Sequence, residues 1–368
     1  MKFGILNVPY GLDYAAGRET VRDVIEWDLQ IAKWSDQYGL DELYFAEHYT
    51  LGNETCPAPD LMIAAASQVA PRIKLGALGH LLPYHNPVAL AHRMMWLDHM
   101  TGGRYVAGLA PGAFPSDAQL FGTGKNNPEM LIEAIDIIKS ILTKPGPWRI
   151  EGKYWTADMP AYADELHGPH LRPLQQPHPE FLMTGMQPES PTLTQAGRNG
   201  FSPVSQEVCV EALLKHWETY SAAAETAGHR ADRNAWRIVR DYWVADTDEQ
   251  ARAAVLDGPM GQTWREHNLP TFKRLNIARL LGGSEISADD ITFEWMVDNF
   301  FIVGSPDTVA EKIRRLYEEV GGFGTLLMAA HGRGTNPDAY RRSIELIGTE
   351  VAPRVADLQP EPLEALAP

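Results

Sequence analysis

Two cysteines in 368 residues, Cys56 and Cys209, are too few and too far apart for a disulfide framework, and their spacing matches no thiolate metal site. Runs of Lys or Arg are missing too, and 48 acidic residues outweigh 32 basic ones, for a formal net charge of −16. That balance argues against nucleic acid and anionic membrane surfaces as partners. No stretch reaches the ~20 uninterrupted apolar residues of a membrane span. The opening "MKFGILNVPYGLDYAAG", broken by Asn7 and Pro9, is too short in apolar residues for a signal-peptide core. A soluble protein of the reducing cytoplasm is expected. G-x-S-x-G, Walker and paired-cysteine motifs are absent, which leaves serine-hydrolase and P-loop chemistry without support. Ten tryptophans and thirteen tyrosines are scattered without basic neighbours, so they make no stacking platform for bases.

What is present is alternation. The apolar stretch 2–8 reads as a buried strand. Val24, Trp27, Ile31, Trp34 and Tyr38 then recur at three- and four-residue steps until Gly39, the pattern of a helix with one buried stripe. "LDELYFAEH" is a second strand, a helix follows over about 60–69, and "RIKLGALGHLL" (72–82) is a third strand. Asn86-Pro87, Asn127-Pro128, Ser190-Pro191, Ser305-Pro306 and Asn336-Pro337 each pair a good N-cap with a proline suited to the first helical position. Further strands are read over 104–110, 180–186, 200–205, 236–245 and 323–331. Strand, loop and capped helix, repeated about eight times with near-continuous apolar strands, predict an α/β (β/α)8 TIM barrel with its active site at the C-terminal strand ends. An open doubly wound sheet is the alternative, but no G-x-G-x-x-G follows the first strand.

Two stretches break the rhythm. Residues 145–180, after the fourth helix, carry seven prolines among Trp148, Tyr154 and Trp155, and 257–300, in the C-terminal third, is long and mixed. Both are expected as insertions in one barrel domain over 1–356, with a flexible tail at 357–368.

Candidate chemistry sits at predicted strand ends. "LYFAEHYT" places Glu47 beside His48, and an imidazole there can donate a hydrogen bond or act as a base. Strand alternation sends the two side chains to opposite faces, so they form a pair only if the strand has ended or bulged. The glycines of "GALGHLLPYHNP" (76–87) mark either close approach by a backbone or ligand, or a tight barrel corner. His85, His92 and His99 share one helical stripe without convergence on a metal, and no His-x-His ends the first strand, so no metal is expected. "LMTGMQPESPTLTQAGRNG" (182–200) joins a strand to a proline-started helix whose free N–H groups could seat a phosphate. "GLAPGAFPSD" (108–117) supplies a backbone-lined wall or a plain loop.

In order and wording these pieces resemble the bacterial luciferase-like family of flavin-dependent monooxygenases. The resemblance rests on "MKFGILN", "LDELYFAEHYT", "RIKLGALGHLLPYHNPVALAHRMMWLDHMTGGRYVAGLAPG", "FGTGKNNPEMLIEAIDIIKSIL" and "VGSPDTVAEKIRRL", and "GLAPGAFPSDAQLFG" is similar to the limonene monooxygenase branch. It implies reduced FMN at the strand ends, supplied by a separate NAD(P)H-dependent reductase, and transfer of one atom of O2 to an apolar organic substrate by hydroxylation, epoxidation or Baeyer–Villiger chemistry. His48 falls on the histidine that supports oxygen activation at the flavin C4a carbon. A non-proline cis peptide, Leu78-Gly79, is implied beneath the flavin ring, with Pro111, Gly112 and Thr184 alongside and the phosphate on Gly185, Met186 and Ser190. Luciferases proper place an arginine where Pro111 stands, so backbone groups or another arginine, such as Arg198, must compensate. The family commonly dimerises. The same barrel also serves deazaflavin-dependent dehydrogenases and non-catalytic partner subunits, which are the alternative readings.

Overall fold

The computed structural model of the chain describes residues 1–8, 11–54 and 56–362. Eight parallel strands close into a barrel in the order β1-β8-β7-β6-β5-β4-β3-β2. They are β1 Lys2–Asn7, β2 Glu42–Phe45, β3 Lys74–Leu81, β4 Tyr105–Ala110, β5 Glu180–Gly185, β6 Ser202–Ser205, β7 Arg237–Arg240 and β8 Thr325–Ala329. Closure is made by β1, which pairs with β8 (Gly4 opposite Leu327) and with β2 (Leu6 opposite Tyr44). A principal helix follows each strand: α1 Val21–Gln37, α2 Pro59–Ala66, α3 Pro87–Met100, α4 Asn127–Thr143, α5 Pro191–Asn199, α6 Val210–Thr226, α7 Pro306–Val320 and α8 Pro337–Leu346. No helix among the described residues is long and apolar enough to cross a membrane.

The helix starts show why these segments fold locally. Thr20 and Asp23 form a reciprocal capping box at α1. Asn86 accepts from the N–H groups of Val88 and Ala89 ahead of Pro87, and Asn336 accepts from Ala339 ahead of Pro337. Helix faces pack against the outside of the strands in one extensive core, while the barrel is filled by Leu6, Tyr44, Ala46, Leu78, Val106, Leu182, Val204, Val239, Leu327 and Ala329. Its floor is ionic. Arg237 bonds Glu42 through Nε (2.7 Å) and Nη2 (3.0 Å) and Glu180 through Nη1 (2.9 Å), and Lys74 reaches Glu180 at 3.0 Å.

Both breaks in rhythm are additions to the barrel. Trp148–Glu151 and Thr156–Met159 pair as an antiparallel hairpin after α4. Between β7 and β8, residues 257–300 form short helices, including a π-helical turn Trp264–Asn268. One expected strand needs correction. The stretch 236–245 is two strands: β7 ends at Arg240, and Tyr242–Val244 leaves the barrel to pair in parallel with Ile302–Gly304. The inferred tail is described only to residue 362, so its last six residues lie outside the described residues.

Candidate active site

β2 ends at Phe45, three residues before His48, whose own N–H bonds the Cys56 carbonyl at 3.0 Å. The ring lies between two buried carboxyls. Nε2 is 3.1 Å from Glu54 Oε2, Nδ1 is 3.9 Å from Asp117 Oδ2, and Phe114 packs edge-on. Asp117, in the short helix Pro115–Leu120 after β4, is held through Oδ1 by the Thr50 N–H (2.9 Å) and hydroxyl. Its Oδ2 and His48 Nδ1 are both buried with no hydrogen-bond partner among the described residues. Burial lowers the His48 pKa, against the pull of Asp117 and Glu47, so the imidazole is neutral at pH 7.

Glu47 meets a different set of partners, although β2 has ended before it. It accepts from Tyr49 Oη (2.7 Å) and the Leu81 N–H (3.2 Å), and lies 2.8 Å from His85 Nε2. Burial alone would raise this carboxyl, but hydrogen bonds from His80 and His85 overcome it and hold the pKa at about 2. Ligand atoms of Glu47, His80 and His85 stand within 4.8 Å of one another, a spacing that could hold a metal ion. The carboxylate already has its donors, however, and Arg93 Nη2 sits 3.1 Å from His85 Nδ1. The network works as a brace tying the end of β2 to the end of β3. His92 and His99 take no part: they bond the Val88 and Arg172 carbonyls.

The Leu78–Gly79 peptide is cis, and the register of β3 on β4 shifts between Ala77 and His80. A Cβ on Gly79 would stand 2.9 Å from the Gly108 carbonyl carbon, and one on Gly108 only 2.3 Å from the Ala77 oxygen. The glycines therefore mark close approach of two backbones, not a barrel corner. After β4, the Pro111 carbonyl accepts from Asn127 Nδ2 at 2.8 Å, and Gly112, at φ +83°, lies against Tyr84.

Thr184 and Gly185 end β5. The Thr184 carbonyl accepts the Thr192 hydroxyl, which also contacts Ser190 Oγ at 2.8 Å, so Ser190 caps no helix amide. The start of α5 keeps its first-turn N–H groups and positive dipole end free of a capping side chain. Met186 is half-buried against the core. Beneath the loop, His216 sits 2.7 Å from the Gln187 carbonyl and 3.0 Å from Ser205 Oγ, which accepts from Trp236 Nε1. Burial pushes His216 down to about 4, so it is neutral, with Nε2–H donating and Nδ1 accepting. Arg198 stands in the last turn of α5, at the opposite end from Ser190, and so cannot stand in for the missing arginine.

Sequence reasoning did not single out Glu54, Asp117 or the polar cluster across the mouth. There, Asp241 Oδ2 accepts from Trp264 Nε1 at 2.8 Å, Asp241 Oδ1 contacts His331, and the Glu207 and Asp241 carboxyls share a hydrogen bond. Burial raises both acids, Asp241 to about 6 and Glu207 well above its usual range. A cavity of about 600 Å3 opens beside the end of β7, lined by Arg240 together with Cys209, Leu281, Phe300 and Lys312; His48, Gly79 and Ser190 do not line it.

The closed parallel barrel, with a buried histidine between two carboxyls and an uncapped helix start at its strand ends, is a TIM barrel, the fold whose active sites lie at that end. The chain belongs to the luciferase-like monooxygenase family, whose model matches residues 1–322. It is 35% identical to 3,6-diketocamphane 1,6-monooxygenase of Pseudomonas putida, over 96% of this chain and 98% of that one. It is 31% identical to limonene 1,2-monooxygenase of Rhodococcus erythropolis, over 91% and 83%. Among solved structures, the oxygenating constituent of 3,6-diketocamphane monooxygenase from Pseudomonas putida, a type II Baeyer–Villiger monooxygenase in complex with FMN, aligns with a TM-score of 0.89 at 36% identity, over 96% of this chain and 98% of that one. The chain is thus a flavin-dependent monooxygenase.

Proposed function

We propose that the chain binds reduced FMN at the barrel mouth and inserts one atom of O2 beside the carbonyl of an apolar alicyclic ketone. The ketone becomes a lactone, the second oxygen atom leaves as water with the two hydrogens of the reduced flavin, and oxidised FMN is released. The observation that carries this reading is the near full-length likeness to an FMN-complexed Baeyer–Villiger oxygenase, in a chain whose own strand ends suit the cofactor. Bound reduced FMN would supply the electrons that divide O2 between product and water.

The residues present fit that group. Val8, Ala46, Leu78, Leu182 and Ala329 belong to the apolar filling of the barrel, a surface suited to a flat ring. His48 Nδ1 and Asp117 Oδ2, buried and without a hydrogen-bond partner among the described residues, call for a ligand partner. Leu78, Gly79, Pro111, Gly112 and Thr184 would line the ring, and Gly185, Met186, Ser190 and the α5 amides would hold the phosphate. With no arginine after β4, the phosphate would depend on backbone N–H groups and the helix dipole. His48 would hold a proton at the oxygen being transferred, and the Trp264 segment, tied to Asp241, would help exclude water.

A separate reductase would supply the flavin, using NAD(P)H. Leu61, Trp96 and Met100, exposed along an apolar groove between α2 and α3, would make the contact of a homodimer. The two free cysteines suit a reducing cytoplasm.

The test is turnover with FMN, NADH and a generic flavin reductase against bicyclic ketones, limonene and aldehydes. Lactone should form from the ketone only when the reductase is present, and His48→Ala should lower kcat by about 100-fold or more. Selective binding of a deazaflavin, or full turnover by His48→Ala, would contradict the proposal.

A further inference from the structure

We infer that Glu54 is the positioning residue that decides which nitrogen of His48 carries the proton, and so whether the ring offers a donor or a base at Nδ1. The inference rests on His48 being the group that meets the reacting oxygen. Glu54 is 7% exposed and its Oε2 stands 3.1 Å from His48 Nε2. The other nitrogen looks across 3.9 Å to Asp117 Oδ2, with neither atom bonded among the described residues. With the Glu54 carboxyl 3.1 Å from Nε2 and the Asp117 carboxyl 3.9 Å from Nδ1, a hydrogen bond closed by Glu54 sets the tautomer of the ring.

The groups facing this pair fix the direction. Burial, with the nearby carboxyls of Asp117 and Glu207, raises Glu54 to about 8. His48 faces Glu54 and Asp117, with the charge of Glu47 acting from the other side, and burial still keeps it neutral. Glu47 is held ionised on the far face of the strand end by His80 and His85. At pH 7 a neutral carboxylic acid therefore lies against a neutral imidazole. When the Glu54 hydroxyl donates to Nε2 the ring proton stays on Nδ1, facing Asp117 Oδ2, whereas the opposite bond, Nε2–H to the Glu54 carbonyl oxygen, would turn the Nδ1 lone pair onto that carboxyl oxygen. Above pH ~8 the Glu54 carboxylate can only accept. The ring proton then moves to Nε2, and Nδ1 becomes a lone pair. A donor at Nδ1 steadies negative charge growing on the transferred oxygen and a lone pair does not, so activity should fall as Glu54 ionises.

The experiment is the pH dependence of kcat from pH 6 to 10 for wild type, Glu54→Gln, Glu54→Leu and His48→Ala, with FMN affinity and thermal midpoint measured on each. Wild type should lose activity with a midpoint near pH 8. Glu54→Gln, whose amide donates at every pH, should keep kcat within about threefold of wild type at pH 7 and show no alkaline fall. Glu54→Leu should lose about tenfold or more in kcat at pH 7 with FMN affinity unchanged. An alkaline fall retained in Glu54→Gln, or a wild-type profile in Glu54→Leu, would overturn the role of Glu54. If His48→Ala instead turns over like wild type, the assignment of His48 itself fails, which separates the two.

Discussion

Replacing Arg237 by methionine should destabilise the barrel more than almost any other single change to its interior. The guanidinium is 4% exposed, makes two bonds to Glu42, itself 1% exposed, and bridges to Glu180. Methionine keeps most of the volume but strands Glu42 in the floor with no cation. Breaking a buried pair from one side costs about 3 to 5 kcal/mol. Glu180 adds little, because it keeps Lys74 and is partly open to solvent. With a urea dependence of about 3 kcal/mol/M, the unfolding midpoint should fall by roughly 1 to 1.7 M. Tryptophan fluorescence and far-ultraviolet circular dichroism should report the same fall. The double variant Glu42→Leu/Arg237→Met removes both charges and should recover most of the loss. Acid titration adds a signed check. Burial would raise the Glu180 carboxyl, but Arg237 and Lys74 overcome it and hold it at about 2. That stability is present above the unfolded value near 4.3 and is lost as pH falls towards 2, so Arg237→Met should flatten this acid limb. A midpoint shift under about 0.3 M, or a double variant less stable than the single, would refute the idea that charge balance holds the floor.

Three further outcomes are expected. Gly108→Ala places a Cβ 2.3 Å from the Ala77 oxygen, where backbone must yield on both sides, so it should cost about 1 to 3 kcal/mol by urea titration and weaken FMN binding by equilibrium dialysis. Trp96→Glu, on an exposed and apolar groove, should convert a dimer to a monomer by sedimentation velocity without loss of helical signal. Asp28 is 3% exposed, and burial raises it to about 7, so the wild type loses stability as pH climbs from the unfolded value near 4 through 7. Asp28→Asn should lack that loss, seen as a flatter dependence of the thermal midpoint on pH.

The repeating part of this fold was legible because each unit is specified locally. Asn86, Asn336 and their following prolines cap helices within a few residues of themselves, and His48 was marked by its place after an apolar strand. The β3 glycines were read as either a close contact or a barrel corner, and the letters could not decide, because the backbone they meet, at Gly108, belongs to β4. The split at Asp241 was hidden, because the charged pair Arg240-Asp241 that interrupts 236–245 reads equally well as two residues of one strand; only the partner Ile302–Gly304, some 60 residues on, reveals it. The partners of His48 and Glu47 were hidden for the same reason. Asp117 reads as an ordinary first-turn acid in "FPSDAQL", and nothing near it in sequence points to Thr50 or His48. Glu54, an acid within the otherwise uncharged "LGNETCPAP", was the one signal in the letters that could have been followed, since an isolated carboxyl near a strand end is either solvated or paired. The cofactor itself came from family likeness, not from residue spacing.

One atom of O2 should enter the substrate at this barrel mouth. Turnover of a bicyclic ketone under isotopically heavy oxygen gas, with reduced FMN supplied by a reductase, tests it directly by mass spectrometry of the product. The product should be a lactone carrying one heavy oxygen atom, none derived from labelled water, and His48→Ala should form it about 100-fold or more slowly. Flavin oxidation that yields only hydrogen peroxide and unchanged ketone across the substrate panel, or product oxygen drawn from water, would contradict it.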